Sequence, residues 1–188
     1  MNPSAPLELL GISGSLRRQS SNTALLHAAR AVAPADVTIK VYEGLSDLPL
    51  FNPDLEHAEP APVTAFRAAL RSADGLLIAS PEYAHGVTGA MKNALDWVVS
   101  GEEFVNMPVA LFNASPRAHH AYEALTEIVT VMAAHLVTEA SITVPLLGRS
   151  IDAAGIAADP TLSSALREAI AVFAAEIRRV REQSDSID

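Results

Sequence analysis

Hydroxyls, amides and arginines crowd into one short stretch of this chain. From Leu7 to Asn22 it reads LELLGISGSLRRQSSN. The run opens on Leu7, Leu9, Leu10 and Ile12, as a buried strand does, breaks at Gly11 and turns through Ser13, Gly14 and Ser15. Arg17 and Arg18 follow, then Ser20, Ser21, Asn22 and Thr23, and an apolar helical pattern starts at Ala24. Such a corner can hold an anion. Small residues let backbone N–H groups approach an oxygen, hydroxyls donate further bonds, and the helix N-terminus adds partial positive charge. Arg17 can grip a phosphate with two parallel bonds. Neither common phosphate motif is present: there is no Gly-Lys-Ser/Thr end, and only Gly11 and Gly14 stand where the dinucleotide fingerprint needs three glycines. The hydroxyl-rich form suits a terminal phosphate monoester, on which many donors converge. The competing reading is an ordinary strand–turn–helix corner with a Ser/Asn cap.

Two further loops carry polar groups. In SPEYAHGVTGAMKNALDW (Ser80–Trp97), Glu82, Tyr83 and His85 sit among Pro81, Ala84, Gly86 and Gly89. A flat ligand could lie against this loop on backbone N–H and C=O groups, with Tyr83 as a wall; a plain surface turn is the alternative. In FNASPRAHHAYEAL (Phe112–Leu125), Asn113, Ser115 and Arg117 are polar groups at another strand end. His119 and His120 invite a metal reading, but adjacent helical side chains point about 100° apart and chelate one ion poorly. No metal site is expected.

These loops need a frame. Five apolar runs alternate with helical patterns: Leu7–Ser13, Val37–Tyr42, Gly75–Ser80, Val109–Ala114 and Leu136–Val144 as strands, with helices near Asn22–Ala33, Pro62–Ser72, Gly89–Ser100, Ala118–Ala134 and Leu162–Arg181. Alternation of this kind predicts an α/β protein with a five-stranded, doubly wound parallel sheet and helices on both faces. The second strand alternates apolar and polar residues, which fits an exposed position. Ligands bind at the carboxyl ends of such strands where the winding reverses, so the loops after strands one, three and four belong together. Gly44–Glu56 shows no helical period and reads as a long ordered loop, with Phe51 either packed over a pocket or a partner subunit or simply packed within the loop. His57 is expected in solvent and Trp97 in the core or an interface. His135 is placed to meet the C-terminal partial charge of its helix. The polar tail from Arg181 to Asp188 is expected to fray.

Composition narrows the class. The 188 residues suggest one domain, and a hydrophobic share of 49 % is ample for a core. There is no cysteine, which removes disulfides, thiolate metal sites and thiol catalysis. A net charge of -9 argues against a nucleic-acid partner. No apolar run approaches the roughly 20 residues that span a bilayer, and MNPSAPLELL lacks the layout of a signal peptide. A soluble cytoplasmic protein is expected.

Three stretches, GISGSLRRQSSNTALL (Gly11–Leu26), LPLFNPDLE (Leu48–Glu56) and SPEYAHGVTGAMKNALDW (Ser80–Trp97), occur here in that order. In them the chain resembles the NAD(P)H-dependent FMN reductases, flavodoxin-like enzymes that include quinone, chromate and azo-dye reductases. The resemblance implies FMN as cofactor and NADPH or NADH as reductant. It implies ping-pong hydride transfer to a quinone, flavin or similar acceptor, without a catalytic side chain. It assigns the FMN phosphate to Ser13, Ser15, Arg17, Ser21, Asn22 and Thr23. It gives the isoalloxazine to Pro81, Glu82, Tyr83, Ala84, His85 and Gly86, with Asn113, Ala114, Ser115 and Arg117 on the other side. It also implies a homodimer or homotetramer. The chain departs from the family pattern at Ala84, where Asn is usual, at Gly86, at Thr88, where Pro is usual, at Asn113, where Gly is usual, and at His119–His120, where two glycines are usual. A flavodoxin-like electron carrier, an FMN-binding regulatory module and a flavin-independent phosphoester binder are the competing functions.

Overall fold

The computed structural model describes residues 5–146 and 148–185. Its sheet runs in the order β2-β1-β3-β4-β5, every pair parallel, from β1 (Leu7–Ser13), β2 (Val37–Tyr42), β3 (Gly75–Ala79), β4 (Pro108–Asn113) and β5 (His135–Leu136). The helices are α1 (Ser21–Val32), α2 (Ala61–Arg71), α3 (Gly89–Asp96), α4 (His119–Val131), α5 (Ala153–Ala158) and α6 (Pro160–Asp185). This is the doubly wound arrangement that the alternating pattern predicts, with the strand order of the flavodoxin-like fold that the resemblance implies. The chain leaves β1 for β2 on one side and returns past it to β3, so the winding reverses between β1 and β3.

Side-chain alternation builds one core on each face of the sheet. Leu7 and Leu9 of β1, Leu77 and Ala79 of β3, and Ala110 and Phe112 of β4 pack against α1, α5 and α6. Leu10 and Ile12, Leu76 and Ile78, and Val109 and Leu111 pack on the other face against α2, α3 and α4. Leu166, Ile170, Phe173 and Ile177 of α6 lie fully in the first core, as their helical spacing implies.

The loop after β2 is ordered by two 3-10 turns, Gly44–Asp47 and Pro53–Leu55, and by α3. Asn93 accepts the Phe51 N–H at 2.7 Å and donates to the Pro49 carbonyl at 2.9 Å, and the Trp97 indole donates to that same carbonyl at 2.7 Å. Phe51 meets buried Trp97 edge-on at 5.2 Å. Both aromatics thus pack within the protomer, and His57 is exposed as expected.

Four expectations change. The apolar run Leu136–Val144 is not one strand: β5 is two residues long, a 3-10 turn spans Thr138–Ala140, and β6 (Ile142–Thr143) pairs with the far end of β4. The Ser141 hydroxyl donates to the Val137 carbonyl and accepts the Leu111 N–H, patching the ladder where the edge jogs. Helix α5 was not legible because AAGIAA offers no period. The residues from Arg181 to Asp185 continue α6, where Arg181 pairs with Asp74; the last three residues lie outside the described residues. His135 sits on β5, beyond the end of α4, and its Nε2 meets the Glu176 carboxylate of α6 at 2.8 Å.

Hydrogen bonds from Arg179 and then His135 hold the Glu176 carboxyl down at about 2, against an ordinary 4.5. Because the folded acid is the stronger one, its stabilising contribution is complete above pH 4.5 and is lost as the pH falls toward about 2. Urea denaturation across that window should show a shallower acid loss of stability in Glu176→Gln than in the parent. Identical slopes would contradict the pairing.

Candidate functional site

The carboxyl ends of β1, β3 and β4 open onto a cavity of about 370 Å³. Ser15, Arg17, Gln19, Ser20, Ser21 and Asn22 line one wall, Ser80 to Tyr83 the middle, and Asn113 to Ala118, Pro116 excepted, the other. The wall built by the β1 loop is shaped from within. The Ser13 and Thr23 hydroxyls meet at 2.7 Å and tie the strand end to α1. Ser13 Oγ accepts the Ser15 N–H and Ser15 Oγ accepts the Arg17 N–H, each at 3.3 Å. Ser20 caps α1 by accepting the Thr23 N–H. Ser21 and Asn22 begin the helix, so their amides have no intrahelical acceptor. No acidic residue stands in that first turn.

A junction of the first two loops fixes this wall against the middle of the site. Gly14 donates to the Ala79 carbonyl at 2.8 Å, and its own carbonyl accepts the Thr88 hydroxyl at 2.6 Å. The Thr88 oxygen also accepts the Met91 N–H at 3.2 Å, capping α3. A Cβ on Gly14 would lie 2.5 Å from Ser80 Oγ and 3.2 Å from Met91 Cβ, so a side chain there would force Ser80 and α3 to shift. Thr88, where the family pattern has Pro, therefore serves as both helix cap and clamp.

The middle loop is a tight turn. Tyr83 and Gly86 exchange both backbone hydrogen bonds at 3.1 Å, with Ala84 and His85 at φ 49° and 59° between them. Two successive left-handed residues make a primed turn, for which Asn-Gly is the unstrained sequence. Alanine and histidine hold it at a cost of about 1–2 kcal/mol each. The turn leaves Tyr83 60 % exposed at the cavity mouth. The amides of Tyr83 and Gly86 are spent on each other, while those of Glu82, Ala84 and His85 have no acceptor among the described residues.

Most of the residues singled out in the sequence converge. Ser15, Arg17, Ser21, Asn22, Pro81, Glu82, Tyr83, Asn113 and Ser115 line the cavity, as does Arg117. Ser13 and Thr23 stand behind it, and Ala84, His85 and Gly86 form the turn beside it. Gln19, Ser80 and Ala118 line it without having been singled out; their only signal was position next to residues that were. Glu82 turns its carboxylate to α4, accepting the Ala121 N–H at 3.0 Å. That bond, and then the nearby His120 and His119, hold its carboxyl below the usual range despite partial desolvation. Ala118, the N-cap of α4, has no capping side chain, so Glu82 supplies the cap from another loop. The expected divergence of His119 and His120 is not observed. Their ring centroids lie 4.0 Å apart at a tilt of 38°, and His85 meets His120 at 4.3 Å and 33°. His119 Nδ1 lies 3.2 Å from the Arg117 carbonyl, which can only accept, so that nitrogen carries hydrogen and the ring folds back over the first turn. Among the described residues no group of three or more His, Cys, Asp or Glu could hold a metal ion.

The charge balance of the cavity is opposite to that of the chain. Among the described residues Arg17 and Arg117 line the cavity without an ion pair, and the one carboxylate in the lining, Glu82, is bound to a helix N-terminus. Asn22 is only 7 % exposed, and its Oδ1 has no hydrogen-bond partner among the described residues. An unpaired guanidinium, free helix-start amides and an orphaned carboxamide in one wall fit FMN. The first two suit its phosphate, and a buried acceptor suits a ribityl hydroxyl.

Fold and site together define a doubly wound α/β protein with a polar, arginine-lined cleft at its switch point. The sequence profile described as NADPH-dependent FMN reductase matches residues 7–146, and the chain belongs to that family. It is 30 % identical over 181 residues to the NAD(P)H-dependent FMN reductase of Pseudomonas aeruginosa, covering 93 % of this chain and 97 % of that protein. It is 46 % identical over 95 residues to the probable NADPH:quinone oxidoreductase 2 of Oryza sativa subsp. japonica; that match spans 48 % of this chain and 47 % of the rice protein, about half the length of that relative. The solved structure of FerB, a flavoenzyme NAD(P)H:(acceptor) oxidoreductase from Paracoccus denitrificans, superposes with a TM-score of 0.82 at 22 % identity over 92 % of this chain and 98 % of that one, a likeness of fold. No helix of the described residues is long and apolar enough to cross a membrane.

Thr88→Val should cost about 1–2 kcal/mol in urea denaturation, because one hydroxyl both caps α3 and holds Gly14. Thr88→Ser keeps the hydroxyl and should stay near the parent. Equal stability of the two variants would remove the clamp from the account.

Proposed function

We propose that this protein is an NAD(P)H-dependent flavin oxidoreductase that passes reducing equivalents through FMN to a quinone or similar small acceptor. Family membership supports the reaction class. The observation that carries the residue assignment is the acid-free wall at the start of α1, with an unpaired Arg17 and an orphaned Asn22 carboxamide. When bound, FMN supplies the redox chemistry, taking a hydride from NAD(P)H and yielding it to the acceptor in a ping-pong order.

The chain's own contribution is position and charge. Ser15, Ser21, Arg17 and the Asn22 backbone amide are assigned to the phosphate end and the Asn22 carboxamide oxygen to a ribityl hydroxyl, with Ser13 and Thr23 bracing them from behind. The unspent amides of Glu82, Ala84 and His85 are assigned to the isoalloxazine, where fixed N–H dipoles favour negative charge without reorganising. Pro81 and Gly86 set the path of that loop, and Asn113 and Ser115 close the opposite side. Glu82 holds the β3 loop against α4 and so keeps the two walls at a set width. Exposed Tyr83 is placed to shape the stacking site of the nicotinamide or the acceptor. No side chain is needed to move a proton in the hydride step.

We also infer that the protein works as a homo-oligomer in the cytoplasm, where NAD(P)H is regenerated. Leu50 supports the first part. It is 83 % exposed, yet its neighbours Pro49 and Phe51 are pinned to α3, so a fixed backbone holds an apolar side chain outward. Light scattering at micromolar concentration should give a mass above the monomer.

The purified protein should take up FMN and be bleached by anaerobic NADPH or NADH, with colour restored by a quinone. Steady NAD(P)H oxidation with a quinone separates an enzyme from an electron carrier, which would show almost none. Arg17→Ala should weaken FMN binding by about 1.5–3 kcal/mol, the value of one charged hydrogen-bonding partner. Tyr83→Ala should raise the KM for NAD(P)H more than it lowers FMN occupancy; the reverse ranking would move Tyr83 from the nicotinamide to the flavin.

A further inference from the structure

The loop after β4 repeats the construction of the loop after β1. In the first, Ser13, Ser15 and Arg17 are spaced two apart, and each side-chain oxygen accepts the amide two residues on. In the second, Asn113, Ser115 and Arg117 have the same spacing. Asn113 Oδ1 accepts the Ser115 N–H at 3.0 Å, and Ser115 Oγ accepts the Arg117 N–H at 3.2 Å. Both loops end in an arginine that lines the cavity and forms no ion pair among the described residues. Asn113 is 7 % exposed and lines the cavity, and its Nδ2 makes no hydrogen bond to any described residue. The second loop thus ends in two unused donor groups, a carboxamide N–H and a guanidinium.

The two arginines stand on separate loops. β1 and β4 are separated by β3, and adjacent strands lie about 4.8 Å apart, which sets the loop origins about 10 Å from each other. FMN carries a single phosphate, and only the β1 loop adds a free helix N-terminus to its arginine. The N-terminus of α4 is already occupied by the Glu82 carboxylate. A second anion-gripping loop in the same cavity therefore calls for an anionic group on a second ligand.

The geometry points to the Asn113–Arg117 loop as a second anion subsite that takes a phosphate of the nicotinamide nucleotide, with Arg117 as a specificity-determining residue for the reductant. This rests on the reading of the cavity as an FMN site. Arg117 is backed by its own elements: its carbonyl meets the His119 ring, and the rings of His119, His120 and His85 touch in turn from α4 to the β3 loop. The guanidinium is thus carried on a braced backbone rather than a free loop.

Calorimetric titration of NADP+ and NAD+ into the oxidised FMN-loaded protein tests it without turnover. Arg117→Gln should raise the Kd for NADP+ at least tenfold and leave the Kd for FMN within twofold, and Arg117→Lys should recover part of the loss. An effect on NADP+ alone assigns the subsite to the 2′-phosphate; an equal effect on NAD+ assigns it to the pyrophosphate. A loss of FMN affinity matching that of Arg17→Ala would mean both loops clasp one ligand and would overturn the inference. So would unchanged nucleotide affinity with a raised KM for a carboxylate-bearing quinone but not an uncharged one. A parent protein that takes up no FMN would sink the underlying reading; a parent that takes up FMN but binds NADP+ no better than Arg117→Gln would sink this inference alone.

Discussion

The absence of a side chain at Gly14 is the constraint on which the site depends. At this one position the β1 loop, the end of β3 and the start of α3 come within van der Waals distance, and a single methyl would meet Ser80 Oγ at 2.5 Å. The Thr88 hydroxyl then bonds the Gly14 carbonyl and the Met91 amide together. Because the contact is both tight and hydrogen-bonded, the donors of α1 and the turn at Tyr83 keep a fixed relation to each other. A cleft that must hold a long, jointed ligand against two separate loops gains most from rigidity of this kind, since preorganised donors lose little freedom on binding.

The same logic explains why an acidic chain can present a cationic cleft. Net charge is -9, but the carboxylates are used elsewhere. Asp36 and Asp74 pair with α6, Glu103 with Arg67 and Arg71, and Glu176 with Arg179. Burial raises the Glu103 carboxyl, but hydrogen bonds from Arg71 and Arg67 and from its own amide outweigh that and lower it overall. In the cavity the one carboxylate, Glu82, is turned into a helix cap. Arg17 and Arg117 are left to act on a ligand. The strained Ala84–His85 pair belongs to the same pattern: a left-handed turn is held at this strand end although the sequence does not favour it, as at other sites where ligands approach backbone.

Much of this was legible in the sequence for physical reasons. Continuous apolar runs announced β1, β3 and β4, and the alternation of Val37, Ile39 and Val41 announced a more exposed strand, which lies at the sheet's edge. The hydroxyl cluster after Ile12 announced a polar corner at a helix start, and the fold sets that corner in the cavity wall. Other features were not legible. The break in Leu136–Val144 depends on the Ser141 hydroxyl substituting for a ladder bond, which no periodicity encodes. The capping of α4 by Glu82 joins residues 39 positions apart. The contact of His85 with His120 likewise requires the fold before it can be seen. Local sequence therefore named the donors, while long-range contacts decided which of them face the cavity and which brace it.

The central claim is that the start of α1 and Arg17 bind a phosphate, so the phosphate should dominate cofactor affinity. Parallel fluorescence titrations of FMN and riboflavin compare two ligands that differ only in that group. Loss of several charge-assisted hydrogen bonds should weaken riboflavin by about 100-fold or more relative to FMN. Equal affinities for the two flavins would contradict the account.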